Sequence, residues 1–173
     1  MVNAAGVASG QIAELLGLPG FRIHPCLGEY AEVVGPKAAS VRSMIYGVAP
    51  PKHPGIGAHL TRGVDGRLLV GPTATYVESP ELPAEPITTL ATFAHEASEL
   101  VPGIDEADLR RAPSGIRAKL QPPGSAEAFG DFVVRPGPGS DRTFHAIGVE
   151  SPGLTACFGI GAAVASWYAS SPG

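Results

Sequence analysis

The fold class is decided by residues 55–74, which read GIGAHLTRGVDGRLLVGPTA. Two apolar runs, at 56–62 and 67–71, flank the dipeptide Asp65-Gly66. An Asp-Gly pair between apolar runs is typical of a β-hairpin, because glycine accepts the positive φ that the tight turn requires. We therefore predict two consecutive antiparallel strands here.

Short apolar runs bounded by Gly or Pro continue on both sides of this hairpin. Further strands are predicted at residues 2–5, 28–34, 43–48, 115–120, 131–135 and 144–149. Apolar residues at helical spacing mark one face of a first helix (Ala8, Ile12, Leu15, Leu16) and of a second (Leu90, Phe93, Ala94, Ala97, Val101). A third helix, rich in Ala and Gly, is predicted at about 152–168. The order is a meander of strands with a few helices, which predicts an α+β fold on a mostly antiparallel or mixed sheet.

Composition excludes several classes of protein. Only 16% of the 173 residues are charged, against roughly 25% in an average soluble domain. Either another chain covers part of the surface, or the genome favours Ala, Gly and Pro codons. The net charge of −4 without a Lys/Arg cluster argues against nucleic-acid binding. We find no apolar run that could span a membrane and no signal peptide.

The two cysteines, Cys26 and Cys157, have no metal-binding or redox spacing. We therefore expect reduced thiols in a cytoplasmic protein. The segment from His95 to Glu99 resembles the start of a helical zinc site, but Glu99 stands where the second His is required. No metal site is predicted.

Residues 150–156, ESPGLTA, follow an apolar strand and open the last helix. Pro152 and Ser151 suit a helix start, and Gly153 would let a ligand approach the backbone closely. The unpaired N–H groups and the positive end of the helix dipole would attract an anion there. The alternative is an ordinary capped helix in a core.

Two side chains suit chemistry on a small acid. Arg117 lies within an apolar strand, where a carboxylate ligand would satisfy its guanidinium with two parallel hydrogen bonds. A structural ion pair is the alternative for Arg117. His59 lies on a predicted strand near Gly57 and is a candidate general base, because the histidine pKa lies near neutral. The alternative for His59 is a polar residue with a purely structural hydrogen bond.

Together these segments resemble a known family. The blocks are NAAG, HPCLGEY, IYGV, GIGAHLTRGVDGRLLVGPTA, SGIRAKL, DFVV and GVESPGLTACFGIGAAVA, in this order. They resemble the second half of L-2-hydroxyglutarate oxidase/dehydrogenase-like proteins within the FAD-dependent oxidoreductase (DAO) superfamily. The resemblance extends from residue 2 to about residue 168.

The resemblance implies a division of the chain and a set of site residues. It implies a remnant of an FAD-binding domain at 1–20, a substrate-binding sheet domain at 21–112, and a return segment with the last helix at 113–173. Cofactor-binding residues implied by the resemblance are Asn3, Ala5, Gly6, Gly115, Ile116, Ser151, Pro152, Gly153, Leu154 and Thr155. The implied reaction moves a hydride from a small 2-hydroxy or amino acid to FAD.

The same resemblance implies roles for substrate-facing side chains. His59 would accept the hydroxyl proton or orient the substrate, and Arg117 and Tyr46 would hold a carboxylate. Thr61 would add a hydrogen bond. His59 and Arg117 are thus the catalytic candidates.

One feature of the family is missing from this sequence. The G-x-G-x-x-G turn that cradles the FAD pyrophosphate does not occur in it. We therefore expect either a separate N-terminal FAD-binding chain or a truncated reading frame, with no tight FAD binding and no turnover by this chain alone. The alternatives are a non-enzymatic carboxylate- or protein-binding module anchored by Arg117, and a remnant without activity.

Overall fold

The computed structural model describes residues 1–48, 57–125, 130–138 and 142–170. The strands within these ranges are β1 (Val2–Asn3), β2 (His24–Val33), β3 (Ile45–Tyr46), β4 (His59–Arg62), β5 (Leu68–Gly71), β6 (Thr75–Tyr76), β7 (Leu109–Lys119), β8 (Val133–Pro136) and β9 (Phe144–Ile147). The helices are α1 (Ser9–Leu15), α2 (Pro36–Ser40), α3 (Leu90–Leu100) and α4 (Gly153–Ser170).

These elements form two compact units. We call the first the terminal unit; it contains Met1–Cys26, Tyr76–Pro80 and the chain from Arg117 onward. The second is the sheet unit, made of Leu27–Thr75 and Glu81–Ile116. The long strands β2 and β7 each contribute residues to both units. The three-part division implied by the resemblance remains a prediction.

The hairpin predicted at Asp65-Gly66 is confirmed in the sheet unit. β4 and β5 pair antiparallel with Thr61 opposite Leu69, and Gly66 has a φ of +82°. β3 pairs with β4, and β5 pairs with β2, in a sheet of order β3-β4-β5-β2-β6 with β7 also paired to β2. The strand predicted at 56–62 begins only at His59, and residue 56 lies outside the described residues.

Helix α3 covers one face of this sheet. The Thr89 hydroxyl accepts a hydrogen bond from the Thr92 N–H and caps the helix start. Phe93, which is fully buried, packs with Leu60 and Val70 of the hairpin in one apolar cluster. The apolar face predicted for this helix is therefore confirmed.

The terminal unit has its own three-stranded sheet, in the order β1-β9-β8. β1 runs parallel to β9, and β8 runs antiparallel to it. The face predicted for the first helix is wrong, because Leu15 is 81% exposed while Ser9, Gly10 and Ala13 are buried. A Cβ at Gly10 would lie 2.3 Å from the Phe21 carbonyl oxygen, so close approach of the backbones selects small residues on this face.

The α+β class and the mostly antiparallel, mixed sheets are confirmed. Helix α2 and the short strand β6 are additional elements that periodicity did not predict, and β7 begins at Leu109 rather than at residue 115. The last helix begins at Gly153 and ends at Ser170.

Candidate functional site

Tyr46 and His59 are brought together in the sheet unit by the pairing of two short strands. They lie directly opposite each other in the antiparallel β3–β4 ladder. Their rings stack with centroids 4.3 Å apart and planes inclined by 16°. The stack restricts the imidazole to one orientation, although the two residues are 13 positions apart in sequence.

A backbone carbonyl selects the tautomer of His59. Its Nδ1 lies 3.1 Å from the Gly57 carbonyl oxygen. Because a carbonyl oxygen can only accept, the hydrogen of the neutral ring is on Nδ1. In the neutral ring, the lone pair is then on Nε2.

Thr61 lies two residues beyond His59 on β4 and therefore on the same face of the strand. Its Oγ1 is enclosed and has no hydrogen-bond partner within the described part of the chain. Leaving a buried hydroxyl unpaired costs free energy. A ligand oxygen would relieve that cost.

These three residues share the face of the sheet that α3 does not cover. Leu60 alternates with His59 and Thr61 along β4 and packs in the cluster under α3. Since successive strand residues point to opposite faces, His59 and Thr61 point away from that cluster. We call Tyr46, His59 and Thr61 the polar sheet face.

Arg117 belongs to the terminal unit. Its Nη1 lies 3.9 Å from Sγ of the fully buried Cys26. Burial raises the pKa of the Cys26 thiol, and the neighbouring positive charge of Arg117 partly opposes this rise. The guanidinium thus lies beside a neutral thiol, on the strand where the sequence predicted a carboxylate-binding Arg.

A buried ion pair that sequence reasoning missed lies in the same unit. Lys119 Nζ donates to Glu150 Oε1 at 2.8 Å, and the two side chains are only 2% and 8% exposed. Thirty-one residues separate the partners. No local sequence pattern predicts this ion pair. Its only sequence signal is a lysine near the end of an apolar strand.

The turn before α4 is exposed where the sequence predicted an anion site. Ser151 and Pro152 are exposed, and the first backbone bond of the helix runs from the Ala156 N–H to the Pro152 carbonyl. The N–H groups of Leu154 and Thr155 therefore precede the helical hydrogen-bond ladder and are oriented outward along the axis. Gly153 is buried, and a Cβ there would lie 2.6 Å from Cγ1 of Val149.

The Asn3–Gly6 turn is shaped by a buried amide. Asn3 Nδ2 donates to the Ser9 carbonyl oxygen at 2.8 Å and lies 3.2 Å from Nδ1 of His145. The Asn3 side chain is thus engaged inside the protein. Ala5 is exposed and Gly6 partly exposed, with a φ of +56° at Gly6.

Gly115 and Ile116, the other predicted cofactor-binding residues, lie on β7 in the sheet unit. Gly115 is exposed and a Cβ would meet no atom within 4 Å. Their role at the cofactor stays a prediction.

Helix α4 has two apolar sides and no charged residue. One side contacts β8 and β9, where Trp167 packs on Phe144 at 5.3 Å. The other side, which we call the outer stripe, is exposed and comprises Leu154, Phe158, Ala162, Ala165 and Tyr168. An apolar stripe of this length on a helix surface is typical of an interface.

Among residues 1–48, 57–125, 130–138 and 142–170, none of the helices is both long enough and apolar enough to cross a membrane. Within the same ranges, no group of three or more His, Cys, Asp or Glu could hold a metal ion.

The chain is similar to a family of flavoproteins. The family model named DAO, FAD dependent oxidoreductase, matches residues 1–167. L-2-hydroxyglutarate dehydrogenase of Escherichia coli (strain K12) is 26% identical over 200 residues, which cover 96% of this chain and 46% of the relative. The mitochondrial L-2-hydroxyglutarate dehydrogenase of Homo sapiens is 28% identical over 203 residues, covering 95% of this chain and 43% of the relative. The chain thus spans a little under half the length of these relatives.

Two solved structures share the fold. L-alpha-glycerophosphate oxidase from Mycoplasma pneumoniae, with FAD bound, superposes with a TM-score of 0.76 at 23% identity over 96% of this chain and 41% of that chain. Glycine oxidase from Geobacillus kaustophilus superposes with a TM-score of 0.64 at 20% identity over 99% and 42%. At these identities the likeness is one of fold.

Proposed function

The chain belongs to the DAO family of FAD-dependent oxidoreductases, and on this premise we propose that it supplies the substrate-facing half of an FAD-dependent 2-hydroxy-acid oxidoreductase. The observation that carries the proposal is the polar sheet face. A stacked imidazole with Nε2 as acceptor lies beside an enclosed, unpaired hydroxyl. The similarity to L-2-hydroxyglutarate dehydrogenases supports L-2-hydroxyglutarate as the substrate.

FAD is the cofactor that the family implies, and the turn before α4 fits one part of it. The N–H groups of Leu154 and Thr155, the exposed Ser151 hydroxyl and the positive end of the α4 dipole suit an acceptor-rich edge that gains negative charge. The pyrimidine edge of a flavin has this chemistry. When bound, FAD would supply the acceptor for the substrate hydride.

The pyrophosphate of FAD needs a different site. The sequence contains no G-x-G-x-x-G turn, which is the feature that lets a backbone approach a pyrophosphate at a helix start. We propose that an FAD-binding segment outside these 173 residues supplies this part. The outer stripe of α4 supports the proposal, because Leu154 and Phe158 are about nine-tenths exposed (90% and 89%) and a packed segment would bury them.

Each candidate residue of the chain has a separate proposed role toward the substrate. His59 Nε2 accepts the proton of the 2-hydroxyl group as the neighbouring C–H bond gives up its hydride, so that a 2-oxo acid is formed. Tyr46 holds the imidazole by stacking, and the Thr61 hydroxyl hydrogen-bonds a substrate oxygen. For the terminal unit by itself, the proposed role of Arg117 is to bind a carboxylate with two parallel N–H···O bonds.

Both cysteines are free thiols, Cys26 buried and Cys157 exposed. Free thiols support a reducing, cytoplasmic location.

The test uses the part of the E. coli relative that this chain does not match, which we call the complementary segment. The chain is mixed with the complementary segment and FAD, and reduction of an acceptor dye is followed with L-2-hydroxyglutarate. We expect turnover from the mixture and none from either component alone. His59→Phe, which keeps the ring stack but lacks the nitrogens, should abolish turnover.

His95→Phe is the matched control, because it makes the same change at an exposed histidine of α3. It should retain the activity of the wild type. Turnover that survives His59→Phe would remove the assigned base. Tight binding of L-2-hydroxyglutarate by the isolated chain, lost in Arg117→Ala and without any turnover in the mixture, would instead identify a carboxylate-binding module.

A further inference from the structure

The Lys119–Glu150 pair joins two segments that the proposed function places at the cofactor and the substrate. Lys119 lies two residues beyond Arg117 on β7, and alternation along a strand puts both side chains on the same side. Glu150 directly precedes Ser151. A single 2.8 Å contact therefore ties the strand that carries Arg117 to the turn that opens α4.

A buried ion pair of this kind adds little net stability to a folded protein. Removing two charges from water costs about as much as their attraction returns, and apolar residues of similar size often stabilise a protein at least as well. The attested advantage of a buried polar pair is that it admits only one arrangement of the segments it joins. The side chains are almost fully enclosed, at 2% and 8% exposure, so water cannot substitute for either partner.

The charges have a second consequence at the turn. Glu150 directly precedes the turn whose N–H groups the proposed function assigns to an edge gaining negative charge. Alone, this carboxylate would repel such an edge. Lys119, in direct contact with it, neutralises the pair and preserves the preference of the turn for an anion.

We propose that Lys119 and Glu150 are positioning residues, which fix Arg117 of β7 against the Ser151–Thr155 turn and neutralise one another beside it. The inference rests on the proposed function, because that function gives Arg117 and the turn their roles. Neither residue touches the substrate; each acts through the segment that it holds.

The decisive variant is the double substitution Lys119→Met/Glu150→Gln. It keeps the approximate shapes and removes both charges, so no uncompensated charge remains inside the protein. Each single substitution, Lys119→Met or Glu150→Gln, leaves its partner without the ion pair and should lower the unfolding midpoint. Lys119→Arg preserves the charge pair and is the conservative rescue.

The first readout needs no flavin. In the isolated chain, the N–H groups of Gly153 and Ala156 are hydrogen-bonded to Glu150 and Pro152 and report on the turn. We expect their hydrogen exchange to be about tenfold faster or more in the double variant, with an unchanged unfolding midpoint. Lys119→Arg should exchange like the wild type.

Lys37→Met is the matched control. It removes a lysine from the sheet unit, where Lys37 Nζ lies 2.6 Å from Asp108 Oδ2. Exchange at Gly153 and Ala156 should not change in this variant. Wild-type exchange rates in the double variant would overturn the proposal.

The second readout is the mixture with the complementary segment. A positioning role raises KM for L-2-hydroxyglutarate about tenfold or more in the double variant while FAD is retained, and Lys119→Arg restores it. An unchanged KM in the double variant would also overturn the inference. Failure of the wild-type mixture to turn over would count against the proposed function, and the exchange measurement would still decide the role of the pair.

Discussion

Substitution of Phe158 tests whether the outer stripe of α4 packs at an interface or belongs to the core of the isolated chain. Its side chain is 89% exposed on the outer stripe of α4, so it adds almost nothing to the packing of the isolated chain. Phe158→Ala should change the free energy of unfolding of the isolated chain by less than about 0.5 kcal/mol, as is usual for surface substitutions. Trp167→Ala, on the inner side of the same helix against Phe144, should be clearly destabilising.

The effect on association is expected to be large. Nearly the whole Phe158 side chain is available for burial, and burying a phenylalanine contributes about 1.5–3 kcal/mol. Because 1.4 kcal/mol is about a factor of ten in affinity, Phe158→Ala should weaken binding of the complementary segment about ten- to hundredfold.

Two assays measure these effects. Urea unfolding of the isolated variants gives the stability, and titration with the labelled complementary segment gives the dissociation constant. An affinity within twofold of the wild type would refute the proposal that the outer stripe packs against the FAD-binding segment. So would a loss of stability in Phe158→Ala as large as that in Trp167→Ala.

Three further predictions concern the core, the polar sheet face and pH. Phe93→Ala should destabilise the isolated chain by about 3–5 kcal/mol in urea unfolding, because it opens a cavity in a fully buried cluster. Thr61→Val should leave stability unchanged or raise it by up to about 1 kcal/mol, since it removes an unpaired enclosed hydroxyl, yet raise KM in the mixture. Burial, with a smaller effect of Arg135, lowers the pKa of His145 from 6.5. Protonation of this imidazole is therefore more favourable in the unfolded chain than in the folded one. The stability that the neutral His145 contributes is therefore fully present above pH 6.5 and declines as the pH falls below it. His145→Asn should flatten this decline in thermal melts at several pH values.

Local chemistry was enough to predict the hairpin and the second helix. The Asp65-Gly66 pair favours a tight turn without help from distant residues, because glycine tolerates the positive φ. The apolar spacing around Phe93 matches the side of the helix that the sheet covers. The first helix shows the limit of periodicity. Leu15 continues the apolar spacing but is exposed, because the buried side is selected by close backbone approach at Gly10.

The candidate site likewise contains some parts that the sequence predicts and others that it does not. His59, Arg117 and the turn before α4 are recognisable from residue type and local context. The stack on Tyr46 arises from strand pairing, and the contact between Lys119 and Glu150 joins residues 31 positions apart. Such contacts depend on the register and packing of distant segments, about which a local sequence pattern carries no information.

We propose that this chain provides the substrate side of a flavin site whose pyrophosphate-binding side lies outside these 173 residues. The most direct test of this central claim is the visible absorbance of FAD, followed anaerobically after separation from free cofactor. We expect no flavin on the isolated chain, flavin on its complex with the complementary segment, and loss of the oxidised band when L-2-hydroxyglutarate is added to that complex. Stoichiometric FAD on the isolated chain, or a flavin-loaded complex that L-2-hydroxyglutarate does not reduce, would contradict the claim.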